Sequence, residues 1–174
     1  MSAPKDKPDA DLHRRLAAQL FNDTWVLLDK PDRTADEDVR MIHTAHASRW
    51  HWEQVGTPLN LLIGEWQCSR VYATLKRGEP AIFHARRCLG LAQRNSISGF
   101  HLATAHEAMA RALTLLKEPA AAEHLRTARD LLKVVTNKEE RRTLEQDLAS
   151  IAPSRGRGTT SASRSRRPRS ASAR

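Results

Sequence analysis

The chain has 174 residues, of which 40% are hydrophobic, and its formal net charge is +9. This length is enough for one domain of ordinary size. Residues 154–174 contain seven arginines and no acid. Of the 29 basic residues of the chain, 22 therefore lie outside this segment, together with all 20 acidic residues. A nearly balanced remainder argues against a nucleic-acid groove on the fold itself. The basic tail, with no aliphatic residue larger than alanine, cannot build a core and is expected to be disordered.

Targeting and membrane signals are missing from the sequence. The first fifteen residues, MSAPKDKPDADLHRR, contain no apolar run of the kind that a secretory signal needs. No segment approaches the roughly 18 apolar residues of a transmembrane helix. We therefore expect a cytoplasmic protein that makes no membrane contact. Cys68 and Cys88 lack the CxxC spacing of metal or redox sites and are expected to be small buried residues.

Short breaks at regular places divide the rest of the chain into helical segments. Each break contains a residue that ends a helix or caps the next one, such as proline, glycine, threonine or asparagine. In chain order, the predicted signals are Pro31 after a helix over 12–28, Thr34 as an N-cap, Gly56 and Pro58, Gly78 and Pro80, the break over 95–99, Pro119, and Asn137 before a last helix that ends near Ala152. The pattern predicts an all-α fold of seven helices with no strand.

An internal repeat of about forty residues accompanies these breaks. Glu-Pro-Ala at 79–81 recurs at 118–120, each time followed by a histidine and by small residues at helical spacing. The stretch Cys68-Ser69-Arg70-Val71-Tyr72, followed by Ala81, Ala85 and Cys88, resembles the tetratricopeptide repeat (TPR) pattern. A second, more degenerate copy covers 108–128. Ser69 and Met109 stand where the family favours glycine, so the chain is described as TPR-like, over about 58–135.

The resemblance implies an architecture and an arrangement of segments. The expected fold is a right-handed stack of about seven antiparallel helices over residues 11–152. A disordered N-terminus over 1–10 and a disordered Arg/Ser-rich tail over 153–174 flank it. In such a stack the first helix of each pair lines a concave groove that binds a partner peptide or helix.

The family's groove positions, carried over residue by residue, give eight candidates for partner binding: Ile63, Trp66, Gln67, Arg70, Thr74, His106, Glu107 and Ala110. Trp66 and Arg70 lie one turn apart and would suit a partner with an acidic group. The alternative is that Trp66 packs between layers while Arg70 pairs with Glu107 or Glu65. Arg70 also replaces the asparagine of chaperone-binding relatives, so capture of a chaperone tail is not implied.

A second candidate region is HTAHASRWHWEQ over 43–54, which contains three histidines and two tryptophans. His43 and His46 share a helix face and could supply two metal ligands, but the third would have to come from another helix. His46 is therefore interpreted as a packed histidine, with no metal predicted. Trp50 and Trp52 point in nearly opposite directions and are expected to pack in two different interfaces.

The predicted function is a scaffold or adaptor that binds a protein or peptide partner, with no catalytic residue and no cofactor. Two alternatives remain open. The first is a nucleic-acid-associated protein whose tail binds phosphates without sequence preference. The second is a metal-dependent helical-bundle hydrolase built around His43 and His46.

Overall fold

The computed structural model of the chain describes residues 9–151. Over that range it consists of helices without a strand, which confirms the all-α prediction. The predicted tail 153–174 and most of the predicted N-terminal segment 1–10 lie outside the described residues. The seven helices of the described range are α1 (Ala10–Asp29), α2 (Ala35–Val55), α3 (Pro58–Thr74), α4 (Gly78–Arg94), α5 (Gly99–Leu115), α6 (Ala121–Leu132) and α7 (Lys138–Ala149).

Local capping explains where several helices begin. Thr34 forms a capping box with Glu37: the Thr34 hydroxyl accepts from the Glu37 amide at 3.2 Å, and the Glu37 carboxylate accepts from the Thr34 amide at 2.9 Å. Pro58 occupies the first turn of α3 behind the Thr57 cap. Asn137 accepts from two amides at the start of α7. These starts confirm the signals that the sequence contains.

Three helix C-termini close in the same way. Lys76, Ser96 and Lys117 each adopt a positive φ of 53–60° just after α3, α4 and α5. The next amide then reaches back to a carbonyl in the last turn, which is the Schellman arrangement. These hydrogen bonds, all of 2.9 Å, run from Arg77 to Tyr72, from Ile97 to Ala92 and from Glu118 to Leu113. A recurring closure of this kind is compatible with a helical repeat.

The helices pack in adjacent pairs, α1 with α2, α3 with α4 and α5 with α6, and consecutive pairs join through α2–α3 and α4–α5. Along the stack α1 contacts α3, α3 contacts α5 and α5 contacts α7. Within residues 9–151 the backbones of α2, α4 and α6 do not approach one another in this way, although the His46 and His84 side chains of α2 and α4 meet with their rings 5.1 Å apart. Because the odd-numbered helices approach more closely than the even-numbered ones, the stack curves toward the odd-numbered side.

Small side chains let α5 sit at the centre of the stack, in contact with α3, α4, α6 and α7. A helix with neighbours on nearly every side needs short side chains around most of its circumference. Five alanines of α5 are at most 3% exposed: Ala103, Ala105, Ala108, Ala110 and Ala112. The closest packing is therefore built from alanine, and larger apolar residues fill the spaces between pairs.

Two predictions about individual side chains have different outcomes. Cys68 and Cys88 are fully buried and unbridged, as expected. Trp50 does not pack in an interface: it is 52% exposed and contacts the rings of His13 and His51 at its edge. The prediction was wrong for Trp50, which lies at the exposed edge of the α1–α2 contact, next to His13 of α1. Trp52 is partly buried beside α1 and α3.

Candidate functional site

A small apolar pocket lies between α3 and α5 on the odd-helix face, by which we mean the surface formed by α1, α3, α5 and α7. The pocket has a volume of about 140 Å³. Its lining residues are Leu62, Ile63, Trp66, Phe100, His101 and Thr104. We call it the α3–α5 pocket. Ile63 and Trp66 of the predicted groove both contribute to it.

A second pocket adjoins it between α1 and α3, with a volume of about 220 Å³. Its lining residues are Ala18, Phe21, Asn22, Trp52, Asn60 and Ile63, and we call it the α1–α3 pocket. Ile63 lines both pockets and therefore stands on the ridge between them. Two adjoining concavities with a shared aliphatic ridge form a surface that can hold two neighbouring apolar side chains.

Aromatic rings extend this apolar surface across α1 and α3. The ring centroids of Trp25 and Trp66 are 5.7 Å apart, and those of Phe21 and Trp25 are 6.3 Å apart with an edge-to-face tilt. These separations fall in the range of favourable aromatic pairs. All three rings are partly buried, so each keeps some exposed surface.

A buried carboxylate organises the centre of the face. Glu107 of α5 is 1% exposed and accepts hydrogen bonds from Trp66 Nε1 at 3.3 Å and from Arg70 at 3.3 Å. Arg111, one turn along α5, donates to the same carboxylate from Nε at 2.6 Å. Arg70 also pairs with Asp147 of α7. The Glu107 network thus connects α3, α5 and α7 through two arginines and two carboxylates.

The charge of Arg70 is therefore compensated within the protein. Its side chain is only 17% exposed and contacts two carboxylates. Such a guanidinium has few donors left for a partner's carboxylate. The alternative in which Arg70 pairs with Glu107 agrees with this geometry, and Asp147 is an additional partner that sequence reasoning missed.

Three other predicted groove residues of α3 have different surroundings. Ile63 is partly buried on the pocket ridge, and Thr74 is exposed at a separate cavity of about 200 Å³ near Arg111 and Ile151. Gln67 is fully buried: its side-chain amide donates to the Phe21 carbonyl at 2.9 Å and ties α3 to α1. Gln67 thus supports the face from beneath and cannot contact a partner directly.

The predicted residues of α5 need correction. Ala110 is fully buried against Leu144 and Leu148 of α7, and His106 shares an Nδ1–Nδ1 hydrogen bond of 3.0 Å with His124 of α6. Neither lies on the odd-helix face. The physical reason is packing: α7 covers the Ala110 side of α5, and α6 packs against the His106 side. Glu107 lies on the face but is buried within its network.

Sequence reasoning found Glu107 but missed the other three residues of its stripe on α5, Phe100, Thr104 and Arg111. Phe100, Thr104, Glu107 and Arg111 follow one another at intervals of four, three and four residues, the spacing of one helical stripe. Starting from Glu107, that stripe predicts Thr104 and Arg111 as its neighbours. The signal was therefore present, but it was read one position away from the correct stripe.

A second buried carboxylate lies on the opposite side of α3. Glu65 is 2% exposed and accepts from Arg49 at 3.1 Å, from His84 at 2.7 Å and from Arg87 at 2.8 Å. Burial by itself would raise its pKa, but the hydrogen bonds from His84 and Arg87 and the charge of Arg49 lower the pKa to about 2. A carboxylate this fully compensated holds α2, α3 and α4 together and is a poor general base at neutral pH.

The metal candidates His43 and His46 do not converge on one site. His46 shares a hydrogen bond of 3.0 Å between its Nε2 and the Tyr72 hydroxyl, and its ring is 5.1 Å from that of His84. His43 is exposed and lines a different cavity, next to α1. Within residues 9–151 no group of three or more His, Cys, Asp or Glu side chains is placed to hold a metal ion.

The two thiols offer no nucleophile. Burial raises the pKa of Cys68 to about 12 and also raises that of Cys88, so both stay protonated at neutral pH.

None of the helices over 9–151 combines the length and the apolar character needed to cross a bilayer.

Comparisons with known proteins give no relative from which a role could be transferred. The chain matches no protein-family model, no curated protein and no solved structure.

Proposed function

We propose that this chain is a TPR-like helical-repeat module that binds a protein partner on its odd-helix face. One observation carries the proposal: the α1–α3 and α3–α5 pockets adjoin on the side toward which the stack curves, and they share Ile63. A curved helical stack with apolar pockets on its inner side is suited to hold an extended or helical segment of another protein. The proposal assigns the chain no catalytic activity and no cofactor.

The pockets favour a partner with apolar side chains over the acidic partner that Arg70 suggested in the sequence. Arg70 is compensated by Glu107 and Asp147, whereas the α3–α5 pocket is lined mainly by the hydrocarbon and aromatic surfaces of Ile63, Trp66 and Phe100. Burial of one Leu-sized side chain contributes about 2 kcal/mol. Two such side chains, one in each pocket, would supply most of the affinity, and the nearby amides of Asn22 and Asn60 would orient the segment.

Photocrosslinking tests this proposal directly. A benzophenone amino acid at Ile63 of the full chain should crosslink to one defined segment of a partner, and that segment should contain two neighbouring apolar residues. A synthetic peptide of the segment should then bind the unmodified chain. Ile63→Glu should weaken this binding at least tenfold, since a carboxylate on the ridge cannot be desolvated without cost.

The matched control is Val134→Glu, which introduces the same charge at a site that is 70% exposed in the α6–α7 connection, away from both pockets. It should leave peptide binding unchanged. Equal binding by the Ile63→Glu chain, at unchanged melting temperature, would contradict the proposal.

A nucleic-acid role is the second candidate, and the observation that favours it is the concentration of seven arginines without an acid in 154–174. In this alternative the tail supplies affinity for phosphates through counterion release, and the helical part positions it. The two roles are separable, because one depends on the Ile63 pockets and the other on the tail.

A further inference from the structure

The two ends of the helical stack differ in whether an additional helix covers them. The C-terminal end is closed by α7, which buries Leu144 and Leu148 against α5 and α6 and carries mostly charged and polar residues on its remaining surface. A polar outer face is what the last element of a stacked fold needs to stay soluble. The N-terminal end, formed by α1 and α2, has no such covering helix within residues 9–151.

An open groove marks this N-terminal end. It lies between α1 and α2, has a volume of about 490 Å³ and is separate from the two pockets of the odd-helix face. Leu20, Val39 and Ala47 form its apolar surface, and Val39 is 49% exposed. We call it the end groove.

Two charged side chains of opposite sign stand in the end groove, one turn apart on α2. They are Asp36 and Arg40, and neither takes part in an ion pair within the described part of the chain. The acids next to Asp36 behave differently. Glu37 pairs with Lys30 at 2.6 Å and Asp38 pairs with Arg33 at 2.8 Å. At the start of α2, the charged residues beside the groove are therefore paired, whereas Asp36 and Arg40, which line it, are not.

We propose that the end groove is a self-association surface whose occupant is the α2 helix of a second copy of this chain. A two-fold axis passing midway between Asp36 and Arg40 makes the two α2 helices antiparallel. It places Asp36 of each copy opposite Arg40 of the other, and it brings the Val39 side chains close to the axis. Such an isologous contact is closed, so it produces dimers and not filaments.

The size of the surface sets the expected strength. Side by side, α1 and α2 form a face roughly 30 Å long and 20 Å wide, since a 20-residue helix is about 30 Å long and 10 Å across. A contact centred on the end groove covers only about half of that face, which is below the ~800 Å² per partner of a standard interface. We therefore expect a weak, reversible dimer with a dissociation constant of micromolar or higher.

Sedimentation equilibrium of the full chain tests the proposal. The molecular mass should rise from monomer to dimer between about 1 and 200 µM, the range in which a micromolar complex forms. Val39→Glu should raise the dissociation constant at least tenfold, whereas the control Val134→Glu should leave it unchanged. A chain that stays monomeric throughout, or that forms a dimer insensitive to Val39→Glu, overturns the proposal.

Charge reversal gives a sharper test of the two-fold geometry. Asp36→Arg alone places four arginines around the axis and Arg40→Asp alone places four aspartates there, so each should weaken the dimer at least tenfold. The double variant Asp36→Arg/Arg40→Asp restores both opposite-charge pairs and should recover most of the affinity.

Circular dichroism and melting temperature show whether each variant folds. The double variant also loses one of the three acids in the first turn of α2, so recovery of the dimer cannot arise from improved folding. If the single variants dimerise like the original chain, or if the double variant dimerises no better than they do, Asp36 and Arg40 do not face each other and the proposal fails. Association lost on deletion of residues 153–174 would assign the groove to the tail and overturn it as well.

Discussion

Trp66 and Glu107 face each other across the α3–α5 interface, with the indole Nε1 donating to the buried carboxylate at 3.3 Å. The same carboxylate accepts from Arg70 and Arg111, so one residue of α5 holds both the aromatic wall of the α3–α5 pocket and the two arginines of the face. The apolar pocket and the ionic network beside it are therefore one structural unit. A change in Glu107 should alter both.

Replacement of Glu107 by glutamine should destabilise the fold by about 3 kcal/mol, because Arg70 and Arg111 lose the charge that compensates them while they stay largely buried. Urea unfolding followed by circular dichroism measures the loss. Glu145→Gln is the matched control, since Glu145 is exposed on α7 and forms no ion pair within residues 9–151. A loss below about 0.5 kcal/mol, the usual range for surface substitutions, would mean that the network is not important for stability.

The same glycine-to-alanine change should have opposite effects in two helices. A Cβ on Gly64 of α3 would stand 2.7 Å from Cδ of Arg49, whose guanidinium is held by Glu65. A Cβ on Gly90 of α4 would meet only the end of the flexible Arg94 side chain at 2.9 Å. We expect Gly64→Ala to cost about 1–2 kcal/mol through overpacking and Gly90→Ala to add about 0.5–1 kcal/mol through helix propensity.

Thermal and urea unfolding of the two single variants decides the matter, with the unmodified chain as reference. If Gly64→Ala stabilises the protein as Gly90→Ala does, Arg49 is free to move and the Glu65 cluster is looser than its distances indicate.

Acid should weaken the fold in a range set by Glu65. Its pKa falls from the ordinary value of 4.5 to about 2 in the folded state. Because the folded pKa lies below the unfolded one, the ionised carboxylate stabilises the fold above about pH 4.5, and that contribution is lost as the pH falls toward 2. Unfolding free energies measured from pH 6 to 2.5 should drop less steeply for Glu65→Gln than for the original chain. Glu145→Gln should keep the original slope, and equal slopes for all three chains would contradict the assignment.

His46 should contribute to stability chiefly in its neutral form. Burial and the neighbouring His84 lower its pKa, so its stabilising effect is complete above about pH 6.5 and declines as the pH falls further. We expect His46→Gln to cost about 1 kcal/mol at pH 8, through the lost hydrogen bond to Tyr72. The difference from the original chain should shrink at pH 5. A constant difference across this range would mean that His46 does not titrate in the folded protein.

Metal analysis of the same pair of chains tests the hydrolase alternative. We expect less than a tenth of an equivalent of zinc or iron in the purified protein and no change of melting temperature with chelator, since bound metal would favour the native state. A full equivalent that disappears on His46→Gln would establish the metal site and overturn the packing interpretation.

The tail prediction concerns residues outside the described range and follows from composition alone. A chain ending at Ala152 should keep its melting temperature within about 2 °C. If the nucleic-acid alternative holds, the full chain should bind random duplex with a log–log salt slope of up to about −6, because seven arginines displace counterions at about 0.9 each. The shortened chain should lose that binding. Duplex binding retained by the shortened chain would place a basic surface on the helical part instead.

The sequence by itself determined where most helices begin and that all elements are helices. The capping box at Thr34, Pro58 in the first turn of α3 and the Asn137 cap are short-range features, because hydrogen bonds within four residues decide them. The burial of both cysteines followed from apolar helical surroundings for the same reason. Each of these predictions depended only on neighbours along the chain.

Only the tertiary structure decided which side of each helix became a surface. His106, Glu107 and Ala110 lie within five positions on α5, yet His106 faces α6, Glu107 faces the arginines and Ala110 is covered by α7. Arg70 finds Asp147 at a sequence separation of 77 residues. Helical spacing determines which residues share one face of a helix. It does not determine toward which neighbour that face is turned, because packing against all neighbouring helices sets the rotation of the helix about its axis. The position of α7 thus turned a predicted groove residue into core and left the Ile63 pockets open.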